Sequence, residues 1–298
     1  MKFRLGTRKS KLALWQAEMV QSELRDIGVE CEIVEIESFG DKVQDIPLHK
    51  LGDKGVFTKA LDIALLEGNI DLAVHSLKDV PTELEEGLVL ASVPVREDPR
   101  DVLVSPLSAR TDQSRIVATG SIRRKAFWMN KYPDHEVTGL RGNVPTRLKK
   151  IDESNWIGGV FAFAGLIRLG LDDRVSEVLE WMIPAPAQGA VGIVSRNEIE
   201  IIRILQQIEN TDVRTCVEVE RSFLNRLEAG CSSPVGALAT IFREQLSFKG
   251  AVLSPGGKNK LSLDRTVTIP SDPAALGRKL AEELIKKGAL QLMEKGDL

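Results

Sequence analysis

The sequence predicts an α/β protein of two or three domains, and three observations predict it. Short apolar runs lead repeatedly into polar turns that open helices, the alternation of an α/β sheet. A polar, Pro-containing joint, Arg96-Glu97-Asp98-Pro99-Arg100-Asp101, divides two apolar strands. The length, 298 residues, exceeds what a single core ordinarily holds, so two or three domains are expected.

Residues 3–7 read as a first strand. Ser10 then caps a helix whose apolar face is Ala13, Ala17, Val20 and Leu24, which leaves Arg8 and Lys9 in the strand-to-helix loop. A second strand spans 30–36 and contains Cys31, read as a small core residue. Gly40, Asp41 and the run Leu51-Gly52-Asp53-Lys54-Gly55 punctuate a long connection, expected to be mobile. Thr58 caps a helix through Leu66 that ends at Gly68-Asn69. The next strand, 70–76, runs straight into Leu77-Lys78-Asp79-Val80-Pro81. Open α/β sheets bind ligands beyond the carboxyl ends of such strands, and Lys78 and Asp79 stand at one. Taken alone, that pair reads first as a solvated pair in a surface turn, because most charge pairs are only solvated. A further strand, 88–95, leads to the joint.

Beyond the joint one device recurs. Strand 116–118 leads to Thr119-Gly120-Ser121-Ile122-Arg123-Arg124, strand 137–140 to Arg141-Gly142-Asn143-Val144-Pro145, and strand 157–161 to Ala162-Phe163-Ala164-Gly165. Each is a helix start, where free backbone N–H groups reinforced by arginines receive carboxylate or phosphate. The loop Pro184-Ala185-Pro186-Ala187-Gln188-Gly189-Ala190 precedes strand 191–194, which can cross back to the first lobe, because a hinge between lobes needs at least two crossings. A helix over 198–209 follows. Thr211 is expected to cap a long helix with inner face Val213, Cys216, Val217, Phe223, Leu224 and Leu227, and Glu220 falls on that face by position. Cys231 follows in a loop of small residues where it can be reached. Strands near 235–241, 245–253 and 261–269, and a helix from Ser271-Asp272-Pro273 to Lys287, complete the third domain. The expected division is 1–98 with 196–212, 99–195, and 213–298.

Apolar residues make up 43% and charged residues 28%, so disorder is not expected. Three cysteines without a CxxC pair argue against a disulfide framework and a zinc site, and His49, His75 and His135 are too few for a His-rich metal centre. The N-terminal residues lack a signal peptide's apolar segment and no run suffices to span a bilayer, so a cytoplasmic protein is expected. The net charge is −3, yet nine Lys or Arg against Asp134 and Glu136 make residues 115–150 net +7. Positive charge concentrated in an otherwise acidic chain implies a locally held anionic ligand more than a nucleic-acid surface.

The motif set resembles the porphobilinogen deaminase family over nearly the whole chain: Ala13-Leu14-Trp15-Gln16-Ala17, residues 74–81, the joint, Ser121-Ile122-Arg123-Arg124, Leu140-Arg141-Gly142-Asn143, Ala164-Gly165-Leu166, Gln188-Gly189-Ala190 and Glu228-Ala229-Gly230-Cys231. The resemblance implies two lobes like type II periplasmic binding proteins and a small α/β C-terminal domain. It implies a dipyrromethane cofactor joined by a thioether to Cys231, onto which four porphobilinogen units are added with loss of ammonia before hydroxymethylbilane is released by water. Asp79 matches the family's catalytic aspartate. Lys78, Asp79 itself, Ser121, Arg123 and Arg124 match cofactor-binding positions, and Arg8, Ser10, Gln16, Arg141, Arg147 and Gln188 match positions that bind substrate. A monomer is expected, with no nucleic-acid or membrane partner.

The chemistry of the residues suits that implication. Each pyrrole carries two carboxylates, and guanidinium forks take carboxylates bidentately. Loss of ammonia leaves an azafulvenium cation that a fixed carboxylate stabilises. Two departures from the family pattern stand out: Ala118-Thr119-Gly120-Ser121, with one hydroxyl fewer than the usual Gly-Thr-Ser-Ser, and a shortened Ala185-Pro186-Ala187 before Gln188. Two rival readings remain. A non-catalytic binding protein would need the arginines but not Cys231, and a nucleotide-handling enzyme would need a Walker or G-x-G-x-x-G loop, which the chain lacks.

Overall fold

A computed structural model describes residues 2–37, 58–107, 114–230 and 233–294. The connection carrying Gly40, Asp41, His49 and residues 51–55 lies outside the described residues, as does Cys231.

The first sheet has the order β2-β1-β3-β10-β4, from β1 (Lys2–Thr7), β2 (Glu30–Glu35), β3 (Leu72–Ser76), β4 (Leu88–Ser92) and β10 (Val191–Arg196). β1 runs parallel to β2 and β3, and β10 is antiparallel to β3 and β4. The second sheet has the order β7-β6-β8-β5-β9, from β5 (Asp101–Val104), β6 (Ile116–Ala118), β7 (Glu136–Thr138), β8 (Gly158–Ala162) and β9 (Glu177–Val178). Here β6 is parallel to β7 and β8, and β5 is antiparallel to β8 and β9. Both sheets therefore follow one scheme: three parallel strands with the first in the middle, then an antiparallel strand that arrives from, or has just left, the other sheet. The strand at 191–196 crosses back as a hinge requires. The 99–195 span drawn for the second lobe accordingly gives up its last strand to the first sheet, because β10 finds its hydrogen-bond partners on β3 and β4.

The local chemistry of the helices is mostly as the sequence prescribes. In α1 (Lys11–Asp26) the Ser10 hydroxyl accepts the Ala13 N–H, and Ala13, Ala17, Val20 and Leu24 are buried. Burying Val20 and Leu24 contributes about 1.5–3 kcal/mol each. Thr58 occupies the cap position of α2 (Lys59–Leu66) without a capping side-chain bond. Ser121 caps α3 (Ile122–Lys131), Asn143 caps α4 (Val144–Asp152) with Pro145 in its first turn, and β8 leads directly into α5 (Phe163–Ile167). After α6 (Ile199–Leu205), the long helix α7 (Thr211–Arg226) is capped by Asn210, whose Oδ1 accepts the Val213 N–H at 3.1 Å. Thr211 is thus inside the helix, one residue later than the cap, because Asn210, with an extended backbone, already supplies the acceptor for the free Val213 N–H.

The C-terminal domain is an antiparallel sheet, β11 (Val235–Phe242), β12 (Gln245–Leu253) and β13 (Lys260–Thr268), covered by α7 and by α8 (Pro273–Ile285). Asp272 caps α8, and a short helix, α9 (Ala289–Glu294), follows it. Its core joins Val219, Phe223 and Leu227 of α7 and its end to Leu246, Phe248, Leu280 and Leu284.

Candidate active site

The parallel strands of each sheet direct their carboxyl ends to one edge. In the first lobe β1 ends at Thr7, so Arg8 follows there, and β3 ends at Ser76, where a single 3-10 turn, Leu77–Asp79, carries Lys78 and Asp79. Ala190 O accepts the Leu77 N–H at 3.0 Å and Leu77 O accepts the Val80 N–H at 3.2 Å, which fixes the turn against the hinge. Gln16 reaches the same edge from α1: its Nε2 donates to Ser76 Oγ at 3.0 Å. Gln16 therefore shapes the entry to the turn, while Ser10 follows Arg8 as the cap of α1.

In the second lobe the carboxyl ends of β6, β7 and β8 present the three predicted loops. They bring Ser121, Arg123 and Arg124 to one edge together with Arg141 and Arg147. The residue that organises them is Asp101, fully buried at the amino end of β5 opposite Ala162. Arg124 Nε donates to Asp101 Oδ1 at 2.8 Å, and Arg123 Nη1 lies 2.7 Å from Asp101 Oδ2 while donating to Ile183 O. Gln188 Nε2 donates to Asp101 Oδ1 at 3.0 Å and to Pro99 O at 2.7 Å, and Gln188 Oε1 accepts from Arg124 Nη2 at 3.4 Å. Arg123 and Arg124 are only 3% and 6% exposed. Arg147 folds back so that its Nε donates to Gly142 O at 2.7 Å.

Electrostatics show that the two lobes face one another. Burial pushes the Lys78 ammonium down to about 8; Asp79 opposes that fall and Arg124 adds to it. Burial pushes the Arg147 guanidinium down to about 10, with Arg124 and Arg141 adding repulsion and Asp79 opposing it. Burial opposes ionisation of Asp101, but Arg123 and Arg124 outweigh it and hold its carboxyl down to about 2. Lys78 and four arginines thus crowd around two carboxylates, Asp79 and Asp101, and an anionic ligand would relieve their repulsion. Arg8 acts on the neighbouring buried His75, which burial holds down to about 4.

Some functional positions were not singled out by sequence reasoning. Asp101 appeared only as part of the joint, although an acid opening the fully buried strand Asp-Val-Leu-Val is an anomaly that signals a buried cation. Glu220, fully buried, accepts from Arg96 Nη1 at 2.6 Å and Nη2 at 3.1 Å, from the Ala187 N–H at 2.6 Å and from the Ala239 N–H at 2.7 Å. It ties the joint, the hinge loop and the C-terminal sheet together. Arg168 donates to Gly189 O at 2.6 Å and stacks over Trp15 of the other lobe. Gly189 has φ +85°, and a Cβ there would lie 2.4 Å from Glu97 O, so the hinge loop requires glycine.

Cys231 lies outside the described residues, but the residues on either side of it are described. Ser233 Oγ accepts the Gly230 N–H at 3.2 Å and the Ser233 N–H returns to Gly230 O. A few residues on, Gly236 allows β11 to approach the 183–184 segment, whose Ile183 O would stand 2.7 Å from a Cβ; Ala237 N–H donates to Pro184 O. Ile183 O is the carbonyl held by Arg123. The other two thiols are poor nucleophiles, since burial pushes Cys31 up to about 11 and Cys216 up to about 12.

The model of the family described as "Porphobilinogen deaminase, dipyromethane cofactor binding domain" matches residues 3–203, and that of its C-terminal domain matches residues 214–286. The chain belongs to the porphobilinogen deaminase family. Relatives named porphobilinogen deaminase include one from Pelotomaculum thermopropionicum, 42% identical over 299 residues, covering 98% of this chain and 96% of the relative. Another, from Syntrophotalea carbinolica, is 41% identical over 304 residues, covering 99% and 96%. Solved structures with a similar chain path include the methionine-binding protein MetQ, at 14% identity and a TM-score of 0.44 over 72% of this chain and 92% of that one. The periplasmic VFT2 domain of Bordetella pertussis BvgS has 13% identity and a TM-score of 0.42 over 70% and 86%. Among the described residues no group of three or more His, Cys, Asp or Glu is placed to hold a metal ion, and no helix is long and apolar enough to cross a membrane.

Proposed function

We propose that the chain is a hydroxymethylbilane synthase, which joins four porphobilinogen molecules head to tail with loss of one ammonia each. The reading includes a dipyrromethane primer joined to the Cys231 sulfur, and action as a cytoplasmic monomer. The observation that carries it is the meeting of Lys78 and Asp79 with Arg123, Arg124, Arg141 and Arg147 in one electrostatic cluster. The residues suit such a primer. Its pyrroles carry acetate and propionate groups, the cluster is rich in cations, and Arg123 Nε is buried without a hydrogen-bond partner among the described residues. Lys78, Ser121, Arg123 and Arg124 would hold it, with Arg8, Ser10, Gln16, Arg141, Arg147 and Gln188 on the incoming substrate.

When bound, the dipyrromethane supplies a free pyrrole carbon as the nucleophile. The protein's work concerns the substrate. As the C–N bond of porphobilinogen, bound as its ammonium, breaks, the nitrogen leaves with the electron pair as neutral ammonia, and positive charge spreads over the pyrrole and its methylene carbon. The Asp79 carboxylate would stabilise that charge, and could hold the proton that each addition sets free. The arginines hold the carboxylates that orient both partners. Asp101 and Gln188 in turn hold Arg123 and Arg124, so those two cations are oriented before any ligand arrives.

Intact mass spectrometry of the protein purified from cells tests the reading. The expected mass exceeds the bare chain by two linked pyrrole units, and the excess disappears in Cys231→Ser. An unmodified wild-type mass, with no consumption of porphobilinogen, would favour an anion-binding protein instead.

A further inference from the structure

We infer that Arg221, on the C-terminal domain's helix α7, is a positioning residue for the Asp79 turn. Its Nη1 donates to Val80 O at 2.9 Å and its Nη2 to Pro81 O at 2.6 Å, so one planar guanidinium grips the two carbonyls that immediately follow Asp79. The inference rests on the placement of Asp79 at the reacting centre.

The chemistry of the segment explains why a side chain is needed there. The Val80 N–H is already used by Leu77 O, and Pro81 has no N–H to give. Beyond the packing of the Val80 side chain, the exit of the turn can therefore take further backbone hydrogen bonds only through its carbonyls, and a guanidinium presents two parallel donors to neighbouring acceptors in a rigid fork. On the entry side the Leu77 N–H is held by Ala190 O. Asp79 thus sits between two fixed points, one supplied by the hinge and one by the third domain.

The position of the guanidinium is itself fixed. Glu220, the preceding residue, is fully buried and holds Arg96, Ala187 and Ala239. One helical step away, Arg221 points to the turn. Asn225, one turn further on, donates to Thr82 Oγ1 and Glu83 Oε1, both at 3.2 Å, so α7 follows the chain outward from the turn. A misplacement of about 1 Å at a reacting group can cost about 100-fold in rate.

Arg221→Gln and Arg221→Lys in the full-length enzyme test this by two measurements, amide hydrogen exchange and steady-state consumption of porphobilinogen. Arg221→Gln is expected to raise exchange at the Val80 amide about ten-fold or more and to lower kcat about ten-fold or more, with KM within about two-fold and the mass excess of the wild type retained. Arg221→Lys, which can reach one carbonyl, should recover part of both effects. Unchanged exchange at Val80 in Arg221→Gln would overturn the inference. So would a loss of activity that only tracks the fraction of folded protein, with Lys no better than Gln. If wild type consumes no porphobilinogen, the functional reading fails, while the exchange measurement still decides whether Arg221 holds the turn.

Discussion

Removing Glu220 should harm the protein more than removing the arginine that pairs with it, and the structure sets the size of the difference. Glu220 accepts four hydrogen bonds at 0% exposure, two from Arg96 and one each from the Ala187 and Ala239 N–H groups. In Glu220→Met a buried guanidinium loses its counter-charge, at about 3–5 kcal/mol. Two buried N–H groups also lose their acceptor, at about 1–3 kcal/mol each. The total is about 5 kcal/mol or more. In Arg96→Met the carboxylate keeps both N–H donors and can take up a proton, so the cost is about 3 kcal/mol. The double variant removes both charges and leaves only unpaired neutral groups, so it should be more stable than Glu220→Met alone. At about 2–4 °C per kcal/mol, thermal unfolding should place the Glu220→Met midpoint at least about 10 °C below wild type, with Arg96→Met about half as far down. Glu220→Gln, which keeps the shape and one acceptor, should fall between. Equal or greater damage from Arg96→Met, or a double variant no better than the sum of its parts, would refute the view that Glu220 is the hub.

Asp79→Ala should fold and retain the mass excess but turn over porphobilinogen roughly a hundred-fold or more slower, since a carboxylate fixed beside a developing cation is worth a few kcal/mol; near-normal kcat removes it from the mechanism. His75 is held neutral with its pKa down to about 4 against an ordinary value near 6.5. The unfolded chain therefore takes up the proton first as pH falls. The contribution of His75 is complete above pH 6.5 and is lost progressively down to pH 4, by about 3 kcal/mol. His75→Gln should flatten that part of the stability curve relative to wild type, and parallel curves for the two proteins would contradict the assignment.

Much of the fold was legible because its signals are local. Ser10 with Ala13, Ala17, Val20 and Leu24, Asn143 with Pro145, and Asp272 with Pro273 each state a helix start within a few residues. The three loops after β6, β7 and β8 were legible for the same reason, and the turn after β3 followed from an apolar run ending in Lys-Asp. Boundaries shifted where tertiary partners decide them, as with Asn210 in place of Thr211 and with β10, whose pairing lies wholly on the first sheet. Partners in space were not legible. Asp101 read only as the last residue of a polar joint and Glu220 only as an acid on an apolar helix face, and only folding brings Arg123, Arg124 and Gln188 to the one and Arg96, Ala187 and Ala239 to the other.

By itself the sequence determined the class of the fold, the concentration of positive charge over 115–150 and the family, since periodicity, caps and motif order are properties of neighbouring residues. What the tertiary structure decided is which charges neutralise which. Arg123 and Arg124 carry the same motif weight as Arg141 and Arg147, yet the first two are tied to Asp101, while Arg147 keeps a guanidinium depressed by burial and by its neighbours. A buried charge needs a partner at hydrogen-bond distance. The distances between segments some twenty to well over a hundred residues apart are set by packing, which no stretch of sequence contains.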